Sequence, residues 1–400
     1  GPVVASGSGQ TYSLRWAAVH PDPYSVPILA LNQASDWTQF RAALSSYSGP
    51  SFNWIFASRD GHIGYQAAGR LPFREGFDGD APLDGLAGLS EWTGLVPFDQ
   101  LPTSFDPPSG RIVSANQDPF VKPVPYAVNG RFAAPYRSRQ IRDLLISGKK
   151  WTPAALVAVQ KDVYSGLHHA FAVEALRIAH ARAGVLAADT VILKGWNGQM
   201  ELGQPAPVLA ELFYRQVRRR LAERAAGRSM PRLSFRGSAA AIHHLIETKP
   251  PGWFDSWDDM LASALKDAID QARRQYGSTP SKWNWGNENR TLAAHPIARG
   301  ISLIAPYLNI GPYPVSGSSQ SVKQSGGRVL PSMRFIADLS NWDQSLLILP
   351  SGQSGHLISG FSRHYKDEWV DFDAGRARPF LFHEVKADST LTLQPVPKTK

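Results

Sequence analysis

The sequence has 400 residues, of which 43% are hydrophobic and 19% are charged. This balance fits neither a disordered chain nor a coiled coil. The absence of cysteine excludes disulfide bonds, thiolate metal sites and a cysteine nucleophile together. No apolar run approaches the roughly 18–20 residues of a membrane-spanning helix. The net charge of +9 is scattered along the chain without a nucleic-acid-binding motif.

The first part of the chain, residues 1–137, has the pattern of a β-rich structure. Residues 52–58 and 62–69 are strand-like segments on either side of an Asp60-Gly61 turn. An Asp-Gly pair between two such segments is a strong signal for a β-hairpin. A further short strand is predicted over residues 111–115, after a stretch rich in Gly and Pro.

The middle part, residues 138–280, changes to helical periodicity. Thr152 followed by Pro153 predicts a helix start, because the hydroxyl can cap the helix and proline lacks the N–H that would stay unpaired. Two further helices are predicted over residues 207–227 and 258–277, and each ends at a glycine.

Strands return in the last part, residues 281–400. They are predicted over residues 333–339, 345–349, 379–385 and 390–393. Strands at both ends of the chain and helices between them indicate an α+β fold with a helical insertion. The pattern divides the chain into residues 1–137 and 281–400 as two parts of one β-rich core, with residues 138–280 inserted.

Three features that could suggest chemistry are more typical of ordinary structure. The run Arg218-Arg219-Arg220 is typical of a solvated helix face. His168-His169 and His243-His244 are adjacent pairs, and neighbouring side chains on a helix do not point at one metal ion.

The segment around Ser354 resembles the turn that carries a hydrolase serine. It reads Gly352-Gln353-Ser354-Gly355-His356, where His stands in place of the final Gly of that motif. His356 and His364 are polar residues that could assist such a serine. A plain strand-to-turn connection explains the same residues without any chemistry.

A series of local motifs follows in order along the chain. They are Gly1-Pro2-Val3-Val4, Asn53 to Tyr65, Gly69 to Arg74, Glu91-Trp92-Thr93-Gly94, Pro108 to Ile112 with Ala115-Asn116-Gln117, Gly317-Ser318-Ser319, Arg334 with Ala337-Asp338, and His364-Tyr365-Lys366-Asp367. Together they resemble the β subunit of the penicillin acylase (penicillin amidase) family of N-terminal-nucleophile hydrolases. Each motif alone is weak, but their common order covers nearly the whole sequence.

The resemblance implies an αββα sandwich with a helical insertion. It also implies a serine that autocatalytic cleavage leaves at the N-terminus of the β subunit. That serine attacks an amide carbonyl while its own α-amine serves as the base. The oxyanion of the tetrahedral intermediate then needs donors that are already in position.

Two residues of this sequence match family positions near such a site. Asn53 matches an asparagine whose side chain stabilises the oxyanion, and we predict that catalytic role for it. The alternative is an asparagine at a strand edge that bonds to local backbone. Arg74 matches an arginine that engages substrate or the asparagine, and the alternative there is a surface arginine after a turn.

The sequence also departs from the family pattern. Family β subunits begin with the serine well upstream of the segment that matches Gly1-Pro2-Val3. We therefore expect the nucleophile and its strands on an upstream or separate polypeptide segment, an expectation that would leave central strands of this chain unpaired. Ser58 stands where many relatives have Asp. Some relatives bind calcium, but no complete set of ligands can be placed here, and we predict no metal site.

The sequence therefore predicts an acylase that cleaves an acyl group from an amine in a linear amide. Its substrates would be small acylated amines, such as a β-lactam side chain, an N-acyl homoserine lactone or an acylated peptide. The alternative is a non-catalytic binding or scaffold fragment that recognises acyl or sugar groups. The family resemblance implies a periplasmic or secreted protein. The scattered charge predicts no nucleic-acid partner, and the lack of a long apolar run predicts no membrane span.

Overall fold

The computed structural model has strands near both ends of the chain and the longest helices between them. It describes residues 1–7, 9–85, 88, 90–120, 123–128, 130–146, 150–182, 186–227, 238–327, 329–352, 362–383 and 390–394. The chain forms two compact units, one of residues 1–149 and 221–255 and one of residues 150–220 and 256–400. The three-part division by sequence pattern stays a prediction.

The first unit combines short strands with a few helices. Its strands are β1 (Val3–Gly7), β2 (Gln10–Ser13), β3 (Phe52–Ala57), β4 (Ile63–Ala68), β5 (Pro72–Arg74), β6 (Trp92–Leu95) and β7 (Thr103–Phe105). Its helices are α1 (Ile28–Gln33), α2 (Trp37–Ser45), α3 (Tyr136–Leu144) and α8 (Ala239–Thr248).

A three-stranded antiparallel sheet in the order β3-β4-β7 organises this unit. The hairpin β3–β4 confirms the prediction, and its register runs from Phe52 opposite Ala68 to Ala57 opposite Ile63. Helix α2 covers one face of the sheet, with the ring of Trp37 at 5.7 Å from that of Phe56. Asp36 caps α2 by accepting a hydrogen bond from the backbone of Gln39.

Gly64 of β4 allows the close contact between α2 and the sheet. A Cβ atom at this position would lie 2.3 Å from the ring of Trp37. The absence of a side chain at Gly64 therefore lets the tryptophan ring approach the strand closely.

The strand predicted over residues 111–115 is wrong, since the described chain forms no ladder there. The side chain of Gln117 takes the place of a neighbouring strand. Its Oε1 accepts from the backbone N–H of Ala115 at 2.7 Å, and its Nε2 donates to the carbonyl of Val113 at 3.1 Å. A side chain that satisfies local backbone groups in this way competes with strand pairing.

The second unit is mainly helical. Its helices are α4 (Pro153–Gln160), α5 (Gly166–Ala181), α6 (Ala187–Thr190), α7 (Ala206–Ala226, which continues past residue 220 into the first unit), α9 (Trp257–Tyr276), α10 (Trp285–Glu288), α11 (Ala305–Leu308) and α12 (Ser362–Ala374). Its strands are β8 (Arg290–Ala293), β9 (Ile310–Pro314), β10 (Arg334–Ile336), β11 (Leu346–Ile348) and β12 (Arg378–Pro379).

The long helices α5, α7 and α9 supply most of the buried core of this unit. The rings of Phe171 and Phe213 meet edge to face at 5.7 Å between α5 and α7. The buried apolar faces are Leu167, Phe171 and Ile178 of α5, Leu209, Phe213 and Val217 of α7, and Leu261, Leu265 and Ile269 of α9.

The helix start predicted at Thr152 is confirmed. Thr152 accepts from the backbone of Ala155, which caps α4. Helix α4 ends at Gln160, and a separate helix α5 follows it, in which Ser165 accepts from the backbone of His168 and caps the helix in the same way.

The predicted solvated face at Arg218-Arg219-Arg220 is wrong for its last residue. The side chain of Arg220 is 13% exposed, and it donates to Asp267 of α9 at 2.6 Å. Arg219 is about half exposed and fits the prediction better.

The strands predicted near the C-terminus are shorter than expected. The predictions at 333–339 and 345–349 are confirmed as β10 and β11, which pair with β12 in the order β10-β11-β12. Of the range 379–385 only the start belongs to β12, and residues 390–393 form no strand. Residues 384 and 385 lie outside the described chain.

Candidate active site

A cavity of about 360 Å³ opens in the first unit beside the sheet β3-β4-β7. We call it the asparagine cavity, after two of its lining residues. Its wall combines polar side chains with aromatic ones, including Asn53, Asn116, Gln117, Phe120, Arg131 and Phe132. An apolar pocket with a few convergent polar groups is the usual form of a small-molecule site.

Asn53 lies on β3, is exposed in the described chain and lines this cavity. Its Oδ1 accepts from the hydroxyl of Tyr65 at 2.5 Å, and its Nδ2 donates to Oγ of Ser114 at 3.0 Å. Burial raises the pKa of Tyr65 to about 12, so the phenol keeps its proton and remains a donor. One hydrogen of the Asn53 amide is therefore engaged, and the second is left for another acceptor.

Asn116 lines the same cavity, a position for which the sequence alone predicts no role. It has a left-handed backbone with φ of 63°, a conformation that asparagine tolerates better than most residues. Its carbonyl oxygen accepts from the backbone of Ala133 at 2.7 Å, which holds the turn in place. The signal for Asn116 in the sequence was its place in the Ala115-Asn116-Gln117 motif.

The side chain of Asn116 is oriented by Arg137 of α3. Nη2 of Arg137 donates to Oδ1 of Asn116 at 2.9 Å. Among the described residues, Nδ2 of Asn116 has no hydrogen-bond partner, so both of its hydrogens are available. Burial lowers the pKa of Arg137, and the guanidinium still has only donors to offer at neutral pH.

The structure does not bring Arg74 to this cavity. Arg74 lies on β5, and its guanidinium sits over the ring of Trp92 at 5.9 Å. Within the described part of the chain, its Nη1 is buried without a hydrogen-bond partner. Burial lowers the pKa of Arg74, against the opposing effect of Asp78 and Asp80. Its predicted role in substrate binding stays a prediction.

The outer edge of β3 is open among the described residues. On its inner side β3 pairs with β4, and no described strand pairs with the other side. Phe52 and Ile55 of the same strand are 54% and 52% exposed. A strand with a free edge and exposed apolar side chains can accept another strand.

The second unit contains a row of residues in the order of a catalytic triad, but it is buried. Nδ1 of His168 lies 2.6 Å from Oγ of Ser165, and its Nε2 lies 2.6 Å from Oε2 of Glu211. Ser165 and His168 are 0% and 1% exposed. Because no substrate can reach the hydroxyl, the row serves to hold α5 against α7.

The other candidates from the sequence have no shared site. Ser354 and His356 lie outside the described residues, as does the side chain of His364. His168 and His169 contact different partners, Glu211 and Tyr164. In the described chain no group of three or more His, Cys, Asp or Glu side chains could hold a metal ion, and calcium binding stays untested. None of the described helices combines the length and apolar character that a membrane crossing requires.

Comparison with known proteins gives the family. Residues 1–389 match the model of the penicillin amidase family. The chain belongs to the penicillin amidase family. The resemblance read from the sequence motifs is thereby confirmed.

Two curated relatives are similar along most of this chain. It is 26% identical to penicillin acylase 2 proenzyme of Pseudomonas sp. (strain SE83), over 99% of this chain and 53% of that protein. It is 25% identical to acyl-homoserine lactone acylase QuiP of Pseudomonas fluorescens, over 98% of this chain and 52% of that protein. The chain thus spans about half the length of the curated relatives it matches.

A solved structure shows the fold. The chain superposes on the thermostable penicillin G acylase from Alcaligenes faecalis with a TM-score of 0.62 and 18% identity. The match covers 93% of this chain and 73% of that one. This similarity confirms the predicted α+β fold class.

Proposed function

We propose that the protein is an amide hydrolase of the penicillin acylase type, which cleaves an acyl group from an amine. The asparagine cavity carries this proposal, because it joins amide donors for an oxyanion to an apolar wall that fits an acyl group. Membership in the family and acylases among its relatives support the same reaction class.

The nucleophile in this proposal is an N-terminal serine on a segment outside this sequence. Its hydroxyl oxygen bonds to the amide carbonyl carbon, and its own α-amine takes the hydroxyl proton. The proton then passes to the departing amine as the C–N bond breaks. Water hydrolyses the resulting ester, which releases the acid and restores the serine.

Asparagines of the cavity stabilise the oxyanion in this scheme. Asn53 contributes the one amide hydrogen that Ser114 does not engage, in line with its predicted catalytic role. Asn116 contributes an amide nitrogen that has no hydrogen-bond partner among the described residues, and Arg137 orients this amide through its oxygen. Asn53 also holds Ser114, two residues before Asn116, so it stabilises the segment that presents the second donor.

The serine-bearing segment is proposed to pair with the open edge of β3. This pairing would place its N-terminus beside the cavity, since Asn53 lies on the same strand. It would also cover the exposed side chains of Phe52 and Ile55. We place the complete protein in the periplasm or outside the cell, a location with which a chain free of cysteine is compatible.

The test is reconstitution of the complete enzyme. The chain is produced alone and together with the proposed serine-headed segment, and both samples are assayed on chromogenic acyl amides. We expect aggregation and no turnover from the chain alone, and soluble, active protein from the pair. A chain that stays monomeric and binds acyl or sugar groups without turnover in either sample would favour the non-catalytic alternative.

A further inference from the structure

The described wall of the asparagine cavity carries a net positive charge. Arg131 is the charged residue among the described residues that line it, and the others are apolar or neutral polar residues. Arg131 is exposed, and within the described chain it forms no ion pair with a carboxylate. An arginine left unpaired at a pocket wall is free to bind an anionic ligand.

The described residues around the cavity do not neutralise the charge of Arg131. Asp118 is the acidic residue nearest in sequence to the lining, and its Oδ1 accepts from the backbone of Phe120 at 2.8 Å. It does not line the cavity. Arg137 adds a second cation behind Asn116, and burial rather than an acidic partner determines its pKa shift.

The rest of the wall fits the apolar part of a small ligand. The rings of Phe120 and Phe132 contact each other at 6.3 Å and line the cavity together with Phe52 and Leu71. The cavity therefore offers an apolar surface, two amide donors and one unpaired guanidinium.

We propose that Arg131 is a specificity-determining residue that selects substrates carrying a carboxylate. This inference rests on the proposed amide hydrolysis. The guanidinium binds the carboxylate through paired hydrogen bonds while the aromatic wall covers the carbon chain. The carboxylate can belong to the acyl group or to the amine that leaves, and the experiment separates these two positions.

The experiment uses the complete enzyme and two matched pairs of chromogenic substrates. The first pair is glutaryl-4-nitroanilide and pentanoyl-4-nitroanilide, which differ by a carboxylate on the acyl group. The second pair is the phenylacetyl amides of 5-amino-2-nitrobenzoate and of 4-nitroaniline, which differ by a carboxylate on the amine. The readout is the ratio of kcat/KM within each pair, measured for the wild type, Arg131→Gln and Arg131→Lys.

Arg59→Gln is the matched control, because Arg59 is an exposed arginine of the β3–β4 turn that does not line the cavity. We expect Arg131→Gln to lower the ratio roughly 10- to 100-fold in one pair, the range that a hydrogen bond to a charged group contributes. Arg131→Lys should lower it less, and Arg59→Gln should leave it unchanged. Circular dichroism of each variant verifies that it is folded.

The pair whose ratio falls identifies where the carboxylate lies. An unchanged ratio in both pairs, or an equal fall with Arg59→Gln, would overturn the role of Arg131 while amide hydrolysis stands. An enzyme that hydrolyses none of the four substrates would overturn the proposed function, and this inference with it.

Discussion

Arg137 donates from Nη2 to Oδ1 of Asn116 across 2.9 Å, and this contact orients the side-chain amide of a residue that lines the cavity. A guanidinium has no acceptor, so it binds the oxygen and leaves the nitrogen free. The arrangement pre-orients a donor before any substrate arrives. Such preorganised donors are the usual source of oxyanion stabilisation in hydrolases.

The two asparagines of the cavity can be separated by mutation in the complete enzyme. We expect Asn116→Ala to lower kcat by roughly 100- to 1,000-fold, the cost of losing one oxyanion donor. Asn53→Ala should also lower kcat, because it removes a donor and releases Ser114. Steady-state kinetics measure both, with Asn32→Ala on α1 as control. Turnover near the wild-type rate in one variant would remove that asparagine from the mechanism.

Arg137 should act through Asn116 rather than on its own. Arg137→Met removes the donor that orients the amide, so we expect a fall in kcat with little change in KM. The double variant Arg137→Met/Asn116→Ala should be little slower than Asn116→Ala alone, because the orienting contact has nothing left to orient. If the fold-reductions in kcat of the two single variants multiply in the double variant, Arg137 acts independently of Asn116.

The hairpin and the capped helices could be predicted from the sequence because their signals are local. The Asp60-Gly61 turn and the Thr152-Pro153 pair each lie within a few residues of the element they determine. The candidate site is different. Asn53 and Ser114 meet across 61 positions of sequence, a contact that no local pattern encodes.

The wrong predictions have the same physical origin. Residues 111–115 have the composition of a strand, but the side chain of Gln117 satisfies the backbone there. Arg220 belongs to a charged run whose composition predicts solvent exposure. Its side chain is largely buried instead, because it forms an ion pair between α7 and α9 with Asp267, which is distant in sequence. In both cases a specific side-chain partner overrides the average behaviour of the residue type.

Gly64 provides a test of the packing beneath the site. An added methyl group would lie 2.3 Å from Trp37, so Gly64→Ala should destabilise the protein by about 1–3 kcal/mol, the usual cost of overpacking. Urea unfolding of the complete enzyme, followed by tryptophan fluorescence, measures the change. Gly85→Ala is the matched control, since a Cβ there meets nothing within 4 Å.

A second substitution makes this test specific to the contact. In a Trp37→Leu background the smaller side chain leaves room for the methyl group. Gly64→Ala should then cost clearly less than in the wild type. An unchanged cost would place the strain in the backbone of β4 rather than at Trp37.

Glu211 predicts how stability depends on pH. Burial alone would raise the pKa of Glu211, but hydrogen bonds and charges from His168 and Arg215 lower it to about 2. The ordinary pKa of a glutamate is 4.5, so folding favours the ionised form of Glu211. This stabilisation is complete above pH 4.5 and is lost as the pH falls toward 2.

The variant Glu211→Gln removes the charge and should therefore remove this dependence. We expect it to be less stable than the wild type by roughly 3 kcal/mol at pH 7, from the size of the pKa shift, and by progressively less below pH 4.5. Urea unfolding of the complete enzyme at pH 7, 4 and 3 measures the difference, with the exposed Glu201→Gln as the matched control. A difference that stays constant across this pH range would mean that Glu211 stabilises the helices by packing and neutral hydrogen bonds, not by its charge.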